Sequence, residues 1–382
     1  MTYLDRTPYA AALEPSAIAG LSTVFALLLL ASVAASVPLQ ALAADKAAPA
    51  TSRTGTKYAA DADMQAVLDA HANLGAKAIE KLDATQARLQ PTPADAVMAV
   101  MKKRGKDASP SALVPGVTSV DRTITGAVGS LPARVYTPAG SGPFPVIVYF
   151  HGGGWVIGDK QVYDAGARGL AKEANAIVVS VDYRLAPEAK FPAQHDDALA
   201  SYRWVAANAA SINGDPKRLA LAGESAGANL ALATAIGARD AGITMPLHVL
   251  AVYPIAQGGS TSTESYRDSE NARPLSKAMM AWFVDKVFSK PSDTKDPRID
   301  LVNANLKGLP PVTLISAQID PLRSDSDQLE AALRKAGVKV EHKLYEGVTH
   351  EFFGMAAVVA KAREAQALAG ARLKQSLAAL SK

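Results

Sequence analysis

One pentapeptide in this chain has the residue types and spacing of a nucleophilic serine site. Gly223-Glu224-Ser225-Ala226-Gly227 follows the apolar run 219–222 and precedes a segment of helical character at 228–239. A serine in a G-x-S-x-G pattern lies on a strained turn between a strand and a helix, which exposes its hydroxyl oxygen. The free N–H groups at the start of the helix favour negative charge there. We therefore predict that Ser225 is the nucleophile of an acyl transfer, against the alternative of an ordinary glycine-rich helix entry.

A serine hydroxyl needs a base to accept its proton, and in this architecture the base follows the serine and the acid in the chain. Of the six histidines, only His350 lies in a loop after a late strand-like run. We predict that His350 is the base, although a single histidine is more often structural. The others either precede Ser225 or lie within apolar or alternating runs, and they are His71, His151, His195, His248 and His342.

The acid that orients the base is expected at the end of the preceding strand. The strand-like run 312–316 is that strand, and Asp320 follows it. Asp325 and Asp327 are rival candidates a few residues later, in a segment of helical character where an exposed aspartate is common. We predict Asp320.

The developing oxyanion needs hydrogen-bond donors, and a glycine run can supply them. His151-Gly152-Gly153-Gly154-Trp155 follows an apolar strand-like run and matches the HGGG loop of lipases and esterases, although such a run alone could be a turn or a phosphate loop. We predict that the N–H groups of Gly153, Gly154 and Ala226 are the donors and that Gly152 shapes the turn. Each such donor stabilises the transition state by roughly 3–4 kcal/mol.

Taken together, these motifs resemble the hormone-sensitive-lipase-like branch of the α/β-hydrolases, the bacterial carboxylesterases also called family IV. The resemblance covers the chain from about residue 117 to the C-terminus. The matching residues are 151–155, 182–188, 191–193, 223–227, Asp320-Pro321-Leu322-Arg323 and His350. One departure is Ala228, where a further glycine is common.

The resemblance implies hydrolysis of short- to medium-chain carboxylic esters, without a cofactor, beneath a cap formed largely by N-terminal helices. It also places residues 182–188 in the scaffold near the site, where we expect Arg184 and Glu188 to form structural ion pairs. Trp155 and Phe352 are candidates for the walls of the substrate pocket, and burial in the core is the equal alternative for both.

Strand-like and helix-like runs alternate from residue 117 onward, which predicts a mostly parallel sheet with helices on both faces. The first two runs are hairpin-like and give this sheet an antiparallel start. The eight strand-like runs are Val117–Thr125, 133–137, 146–150, 176–182, 219–222, 248–253, 312–316 and 338–345. The alternation predicts the α/β fold class, and the resemblance implies an α/β-hydrolase fold with an eight-stranded sheet and a helical cap.

Two segments are predicted to form the cap over a catalytic domain at 116–382. The first is 58–115, with helical spacing of apolar residues at 62–79 and 93–104. The second is the insertion 255–300, with an amphipathic helix at 276–288. Only the resemblance favours a lid here over an ordinary helical extension.

The composition limits the chemistry and the partners. Zero cysteines in 382 residues exclude disulfides and thiolate metal sites. The net charge of +4 comes with a single tight basic cluster, Lys102-Lys103-Arg104, so we expect no nucleic-acid partner. We also expect no metal, because no histidine or acid cluster has metal-ligand spacing. A homo-oligomer is possible.

The N-terminal segment has the features of a secretory signal peptide. Residues 15–44 carry no charge and end with the A-x-A sequence Ala41-Leu42-Ala43. We predict a signal peptide at 1–43 and a flexible leader at 44–57, which makes the protein secreted or periplasmic without stable membrane association. The alternative is an uncleaved membrane anchor, since an apolar run of this length could span a bilayer.

The predicted function is a serine hydrolase that cleaves small carboxylic esters through an acyl-enzyme. Nothing in the triad separates this activity from that of an amidase, a formamidase or a lactone hydrolase, because the same oxyanion serves all of them. A ligand-binding protein on a hydrolase fold is the alternative from another functional class, and the complete triad and oxyanion loop disfavour it.

Overall fold

The alternating runs in the middle of the chain fold into one eight-stranded sheet in the order β1-β2-β4-β3-β5-β6-β7-β8. The computed structural model describes residues 56–258 and 260–378, so the predicted signal peptide 1–43 and nearly all of the predicted leader 44–57 lie outside the described residues. The strands are β1 (Val117–Thr125), β2 (Ser130–Pro138), β3 (Phe144–Phe150), β4 (Ile177–Val181), β5 (Gly214–Glu224), β6 (Val249–Val252), β7 (Val312–Ile319) and β8 (Val340–Thr349).

Strand β2 pairs antiparallel with both of its neighbours, β1 and β4, and every other pair in the sheet is parallel. The prediction of a mostly parallel sheet with an antiparallel start is therefore confirmed. The carboxyl ends of β5, β7 and β8 lie on the same edge of the sheet, because parallel strands run in the same direction.

Helices cover both faces of the sheet. Successive side chains of β3 alternate between the two faces: Val146 and Val148 belong to one apolar cluster, and Ile147 and Tyr149 to the other. The helices are α1 (Ala62–Asn73), α2 (Ala84–Ala87), α3 (Pro93–Lys103), α4 (Pro110–Leu113), α5 (Asp164–Ala174), α6 (Ala193–Asn208), α7 (Ala226–Asp240), α8 (Glu264–Asp268), α9 (Lys277–Val287), α10 (Arg323–Lys335) and α11 (Ala360–Ala378). Helices α6, α7 and α10 contribute to the first cluster, and α1, α3, α5 and α11 to the second.

The first N-terminal helix is shorter than expected. We predicted a helix over 62–79, but α1 ends at Asn73. Gly75 follows with φ at 73°, a left-handed conformation that ends helices and that glycine adopts without strain. Helix α3 matches its predicted range closely, because Thr92 and Asp95 form a reciprocal capping box at its start.

The two segments predicted to form a cap contact each other and the catalytic end of the sheet. The indole N–H of Trp282, on α9, donates to the carbonyl of Leu82 at 3.0 Å. On α1, the sulfur of Met64 accepts a 3.6 Å hydrogen bond from Thr349, at the end of β8. Whether these helices act as a lid remains a prediction. Among residues 56–258 and 260–378, no helix is both long enough and apolar enough to cross a membrane.

Candidate active site

Ser225 lies on the turn between β5 and α7, the place expected for a nucleophile elbow. Its backbone has φ 56° and ψ −119°, a conformation that is strained for any residue other than glycine. The turn is tight: a Cβ at Gly223 would lie 2.2 Å from the Gly227 carbonyl oxygen. A Cβ at Gly227 would lie 2.0 Å from the carbonyl oxygen of Phe150. Both glycines are therefore required for helix α7 to start this close to strands β3 and β5.

The predicted base and acid meet at the ends of two neighbouring strands. Asp320 follows β7, and His350 follows β8. His350 Nδ1 lies 2.7 Å from Asp320 Oδ2, and both side chains are buried. The other oxygen, Asp320 Oδ1, accepts the Leu322 N–H at 2.8 Å, which fixes the carboxylate in place.

The third side chain of the predicted triad, Ser225, follows β5 at the same edge of the sheet as this pair but is not joined to it by a hydrogen bond. Within the described part of the chain, no hydrogen bond links Ser225 to His350. The Ser225 N–H instead donates to the Val252 carbonyl at 2.8 Å, which anchors the elbow to β6. Hydrogen bonds between a nucleophile and its base often form fully only when substrate is bound.

The electrostatic surroundings favour a protonated His350 more than water does. Burial acts to lower the pKa of His350, but the charge and hydrogen bond of Asp320 raise it, followed by the charges of Glu351 and Glu224. The net direction of the pKa is upward. An imidazolium formed by proton transfer from a serine would therefore be stabilised where it forms.

The rival acids lie elsewhere. Asp325 is buried on α10, where its carboxylate accepts the N–H groups of Ala256 and Gln257 at 2.9 and 3.1 Å. Burial raises the pKa of Asp325 to about 7. Asp327 is exposed on the same helix. The structure brings neither of them to His350, and their contacts indicate a structural role for Asp325.

The glycine run has the shape of a donor loop. Gly153 and Gly154 have φ values of 94° and 59°. A Cβ at Gly153 would lie 2.1 Å from the Ile157 carbonyl oxygen, and a Cβ at Gly154 would lie 2.3 Å from the ring of Phe283, on α9. Across the described ranges, no acceptor engages the N–H groups of Gly153, Gly154 or Ala226, the three predicted donors. These groups remain available to a ligand.

Two side chains hold the carbonyl groups of this loop. The Tyr183 hydroxyl donates to the His151 carbonyl at 2.9 Å, and His151 Nδ1 donates to the Gly152 carbonyl at 2.8 Å. Burial lowers the pKa of His151, which favours the neutral ring stacked on Tyr183. Sequence reasoning placed Tyr183 only in the nearby scaffold and did not identify this contact.

The remaining histidines are held by structural partners. His71 contacts the Pro91 carbonyl, His195 contacts Asn229, His248 contacts Ser376 and Thr313, and His342 contacts Glu330 and Ser316. Burial lowers the pKa values of His195 and His248 to about 4, so both rings are neutral near pH 7.

The pocket candidates and the scaffold residues have definite places. Trp155 and Phe352 are both buried within the two apolar clusters, Trp155 beside the ring of Phe288 and Phe352 beside the ring of Tyr253. Their role as pocket walls remains a prediction. The expected structural ion pairs are present and are Arg184–Asp197 and Arg88–Glu188, each at 2.7 Å.

Sequence reasoning missed two acids beside the predicted triad, of which Glu224 is buried and Glu351 is partly exposed. Glu224 directly precedes Ser225, and Glu351 directly follows His350. Glu224 accepts hydrogen bonds from Tyr149 and Tyr253, and Glu351 accepts one from Tyr163. A signal was available in the sequence, because each carboxyl group is adjacent in the chain to a residue with a proposed chemical role.

Comparisons with known proteins place the chain among the α/β-hydrolases. A family model described as alpha/beta hydrolase fold matches residues 147–354. Carboxylesterase NlhH of Mycobacterium tuberculosis is 38% identical over 292 residues, covering 75% of this chain and 91% of that protein. Ethyl acetate hydrolase of Pseudomonas putida is 32% identical over 254 residues, covering 65% and 79%.

Solved structures of esterases share the same architecture. An esterase from Pyrobaculum calidifontis superposes with a TM-score of 0.71 at 35% identity, covering 78% of this chain and 94% of that one. A thermostable esterase from Pseudomonas putida superposes with a TM-score of 0.74 at 31% identity, covering 83% and 98%. At these identities the likeness extends beyond the fold to the sequence.

Proposed function

This chain belongs to the hormone-sensitive-lipase-like branch of the α/β-hydrolase family and is a carboxylesterase, and we propose that it acts through Ser225, Asp320 and His350. The observation that carries this assignment is the 2.7 Å contact between His350 Nδ1 and Asp320 Oδ2, at the edge of the sheet where Ser225 occupies a strained elbow. The assignment is independent of the cap, whose role is untested.

The proposed reaction begins when His350 Nε2 takes the proton of Ser225 and the serine oxygen attacks the ester carbonyl carbon. The resulting oxyanion accepts hydrogen bonds from the N–H groups of Gly153, Gly154 and Ala226. Asp320 holds the imidazole in the tautomer that leaves Nε2 free to accept, and it stabilises the cation.

Collapse of the tetrahedral intermediate breaks the ester C–O bond, and His350 returns its proton to the departing alcohol. Water then attacks the acyl-enzyme with the same base, and the carboxylic acid leaves. The proposed substrates are esters of short- to medium-chain acids. The name of one relative, ethyl acetate hydrolase, supports the short end of that range.

The test replaces the nucleophile. We expect Ser225→Ala to abolish hydrolysis of p-nitrophenyl butyrate and to abolish covalent labelling by a fluorophosphonate probe. The matched control is Ser211→Ala, because Ser211 is an exposed serine in the loop before β5 and lies outside the proposed site. Labelling of Ser225→Ala at the wild-type rate would place the nucleophile elsewhere. A panel of ester, anilide and lactone substrates then defines which bond the enzyme prefers.

A further inference from the structure

A second carboxylate lies on the side of His350 opposite Asp320. Glu351 Oε1 is 3.8 Å from His350 Nε2, whereas Asp320 Oδ2 is 2.7 Å from Nδ1. A separation of 3.8 Å is too long for a hydrogen bond, so Glu351 acts on the ring through its charge. Nε2 is also the nitrogen that must exchange a proton with Ser225 in the proposed reaction.

Glu351 is held at this distance from both ends. Its backbone has φ 69° and ψ 2°, a left-handed conformation that is uncommon for a residue other than glycine. The Tyr163 hydroxyl donates to the same oxygen, Oε1, at 2.7 Å. That hydroxyl lies against the glycine loop, because a Cβ at Gly152 would be 2.5 Å from it. The tyrosine therefore acts as a latch that keeps Oε1 from approaching Nε2.

The other titratable groups around the imidazole are buried as well. Glu224 accepts hydrogen bonds from Tyr149 and Tyr253, and the Tyr253 ring lies 4.4 Å from the His350 ring. Burial, followed by the charge of Glu351, raises the pKa of Glu224 to about 7. The titratable groups that act on His350 are Asp320, Glu351 and Glu224, and the ring of Tyr253 contacts it. Tyr149 and Tyr163 bind the two glutamates.

Among these groups, Glu351 is the carboxylate that approaches Nε2, at 3.8 Å. Burial raises the pKa of Glu351 above its usual range, although the charge of His350 and the hydrogen bond from Tyr163 act to lower it. The contacts that favour the ionised form are the same contacts that fix its position. A proton on Glu224 removes one competing negative charge without changing the distance between Glu351 and the imidazole.

We propose that Glu351, latched by Tyr163, is a positioning residue that sets the pH range in which His350 can act as the base. The carboxylate stabilises the imidazolium across space, and the latch prevents a direct ion pair that would withdraw Nε2 from Ser225. This inference rests on the proposed role of His350 and deepens it.

The first test is Glu351→Gln, which removes the charge and keeps an oxygen for the Tyr163 hydroxyl. Hydrolysis requires neutral His350, and loss of the anion makes the imidazole easier to deprotonate. We expect the acidic limb of the kcat/KM profile to move to lower pH by about one pH unit. The acidic limb of the pH profile for fluorophosphonate labelling should move by the same amount. NMR titration of the His350 imidazole should report the shift of its pKa directly. Glu346→Gln, an exposed change on β8, is the matched control and should leave the limb in place.

The second test is Tyr163→Phe, which keeps the ring and removes the latch. Oε1 can then close on Nε2, so the acidic limb should move to higher pH and kcat should fall. In the double variant Tyr163→Phe/Glu351→Gln, the limb should return to the position found for Glu351→Gln, because the tyrosine acts through the carboxylate. This dependence would not appear if Tyr163 were merely a packing residue.

Two results would overturn the inference. One is an acidic limb in Glu351→Gln that stays at, or rises above, its wild-type pH. The other is an acidic limb in Tyr163→Phe at or below its wild-type pH. Failure of the inference is distinguishable from failure of the proposed function, because labelling of Ser225 in the wild-type protein tests the nucleophile alone.

Discussion

Replacement of Asp320 by asparagine tests the proposed charge distribution most directly. The His350 Nδ1 to Asp320 Oδ2 distance is 2.7 Å in a buried setting. With an effective dielectric constant of about 20, two unit charges at that distance attract by about 6 kcal/mol. Asparagine keeps an oxygen dipole, so part of this attraction survives. Its amide can also present N–H groups to Nδ1, which stabilises the wrong tautomer.

We therefore expect Asp320→Asn to lose about 4–5 kcal/mol of transition-state stabilisation, a fall in kcat of about a thousandfold to ten-thousandfold. The assay is kcat for p-nitrophenyl butyrate at saturating substrate, with the folded fraction checked by circular dichroism. Asp327→Asn is the matched control. Asp327 is an exposed residue of α10, and its replacement should leave turnover at the wild-type level. An Asp320→Asn enzyme within tenfold of wild type, or a larger loss in Asp327→Asn, would refute the assignment.

Two further predictions concern stability and processing. The pKa of Glu224 is about 7 in the folded protein against 4.5 ordinarily, so between these pH values the folded state holds a proton that the unfolded chain has lost. The free energy of unfolding contributed by this group should thus fall as pH rises through that window, by on the order of 3 kcal/mol. Urea denaturation at pH 5 and pH 7.5 measures how much the free energy of unfolding changes with pH. This change should be smaller in Glu224→Gln than in the wild-type protein, and an equal change would contradict the role given to Glu224. Separately, we expect a reporter fused to residues 1–45 to be exported and to begin near Ala44 on N-terminal sequencing, whereas an intact Met1 would contradict cleavage.

The strand pattern was readable from the sequence because the central strands are buried on both faces. Their apolar runs are interrupted only at the turns, so each run marks one strand. The strand ends were less readable. Strand β5 begins at Gly214, five residues before the apolar run at 219–222. The apolar pattern did not reveal this start, because the first half of the strand is polar and partly exposed. Helix α1 was predicted too long because apolar spacing continues past Gly75, while the backbone of that glycine does not remain helical.

The candidate site was predictable where a residue's role depends on its place after a strand, as for Ser225, Asp320 and His350. It was less predictable where the role depends on contacts between distant segments. Nothing near Tyr163 in the sequence indicates that its hydroxyl reaches Glu351, 188 residues later. The carboxylate of Asp325 differs from that of Asp320 in its partners, the N–H groups of Ala256 and Gln257, and these contacts likewise depend on the loop after β6 folding over it.

The contact between Phe283 and Gly154 couples two regions that are 129 positions apart in the chain. The aromatic ring occupies the space above the glycine backbone, so the inserted helix partly determines the shape of the glycine turn that we propose receives the oxyanion. A chimera that received this insertion from a relative would also receive a new wall for that turn. Efforts to broaden substrate range by exchanging the insertion therefore alter the catalytic machinery at the same time, and selectivity and turnover cannot be tuned as separate modules.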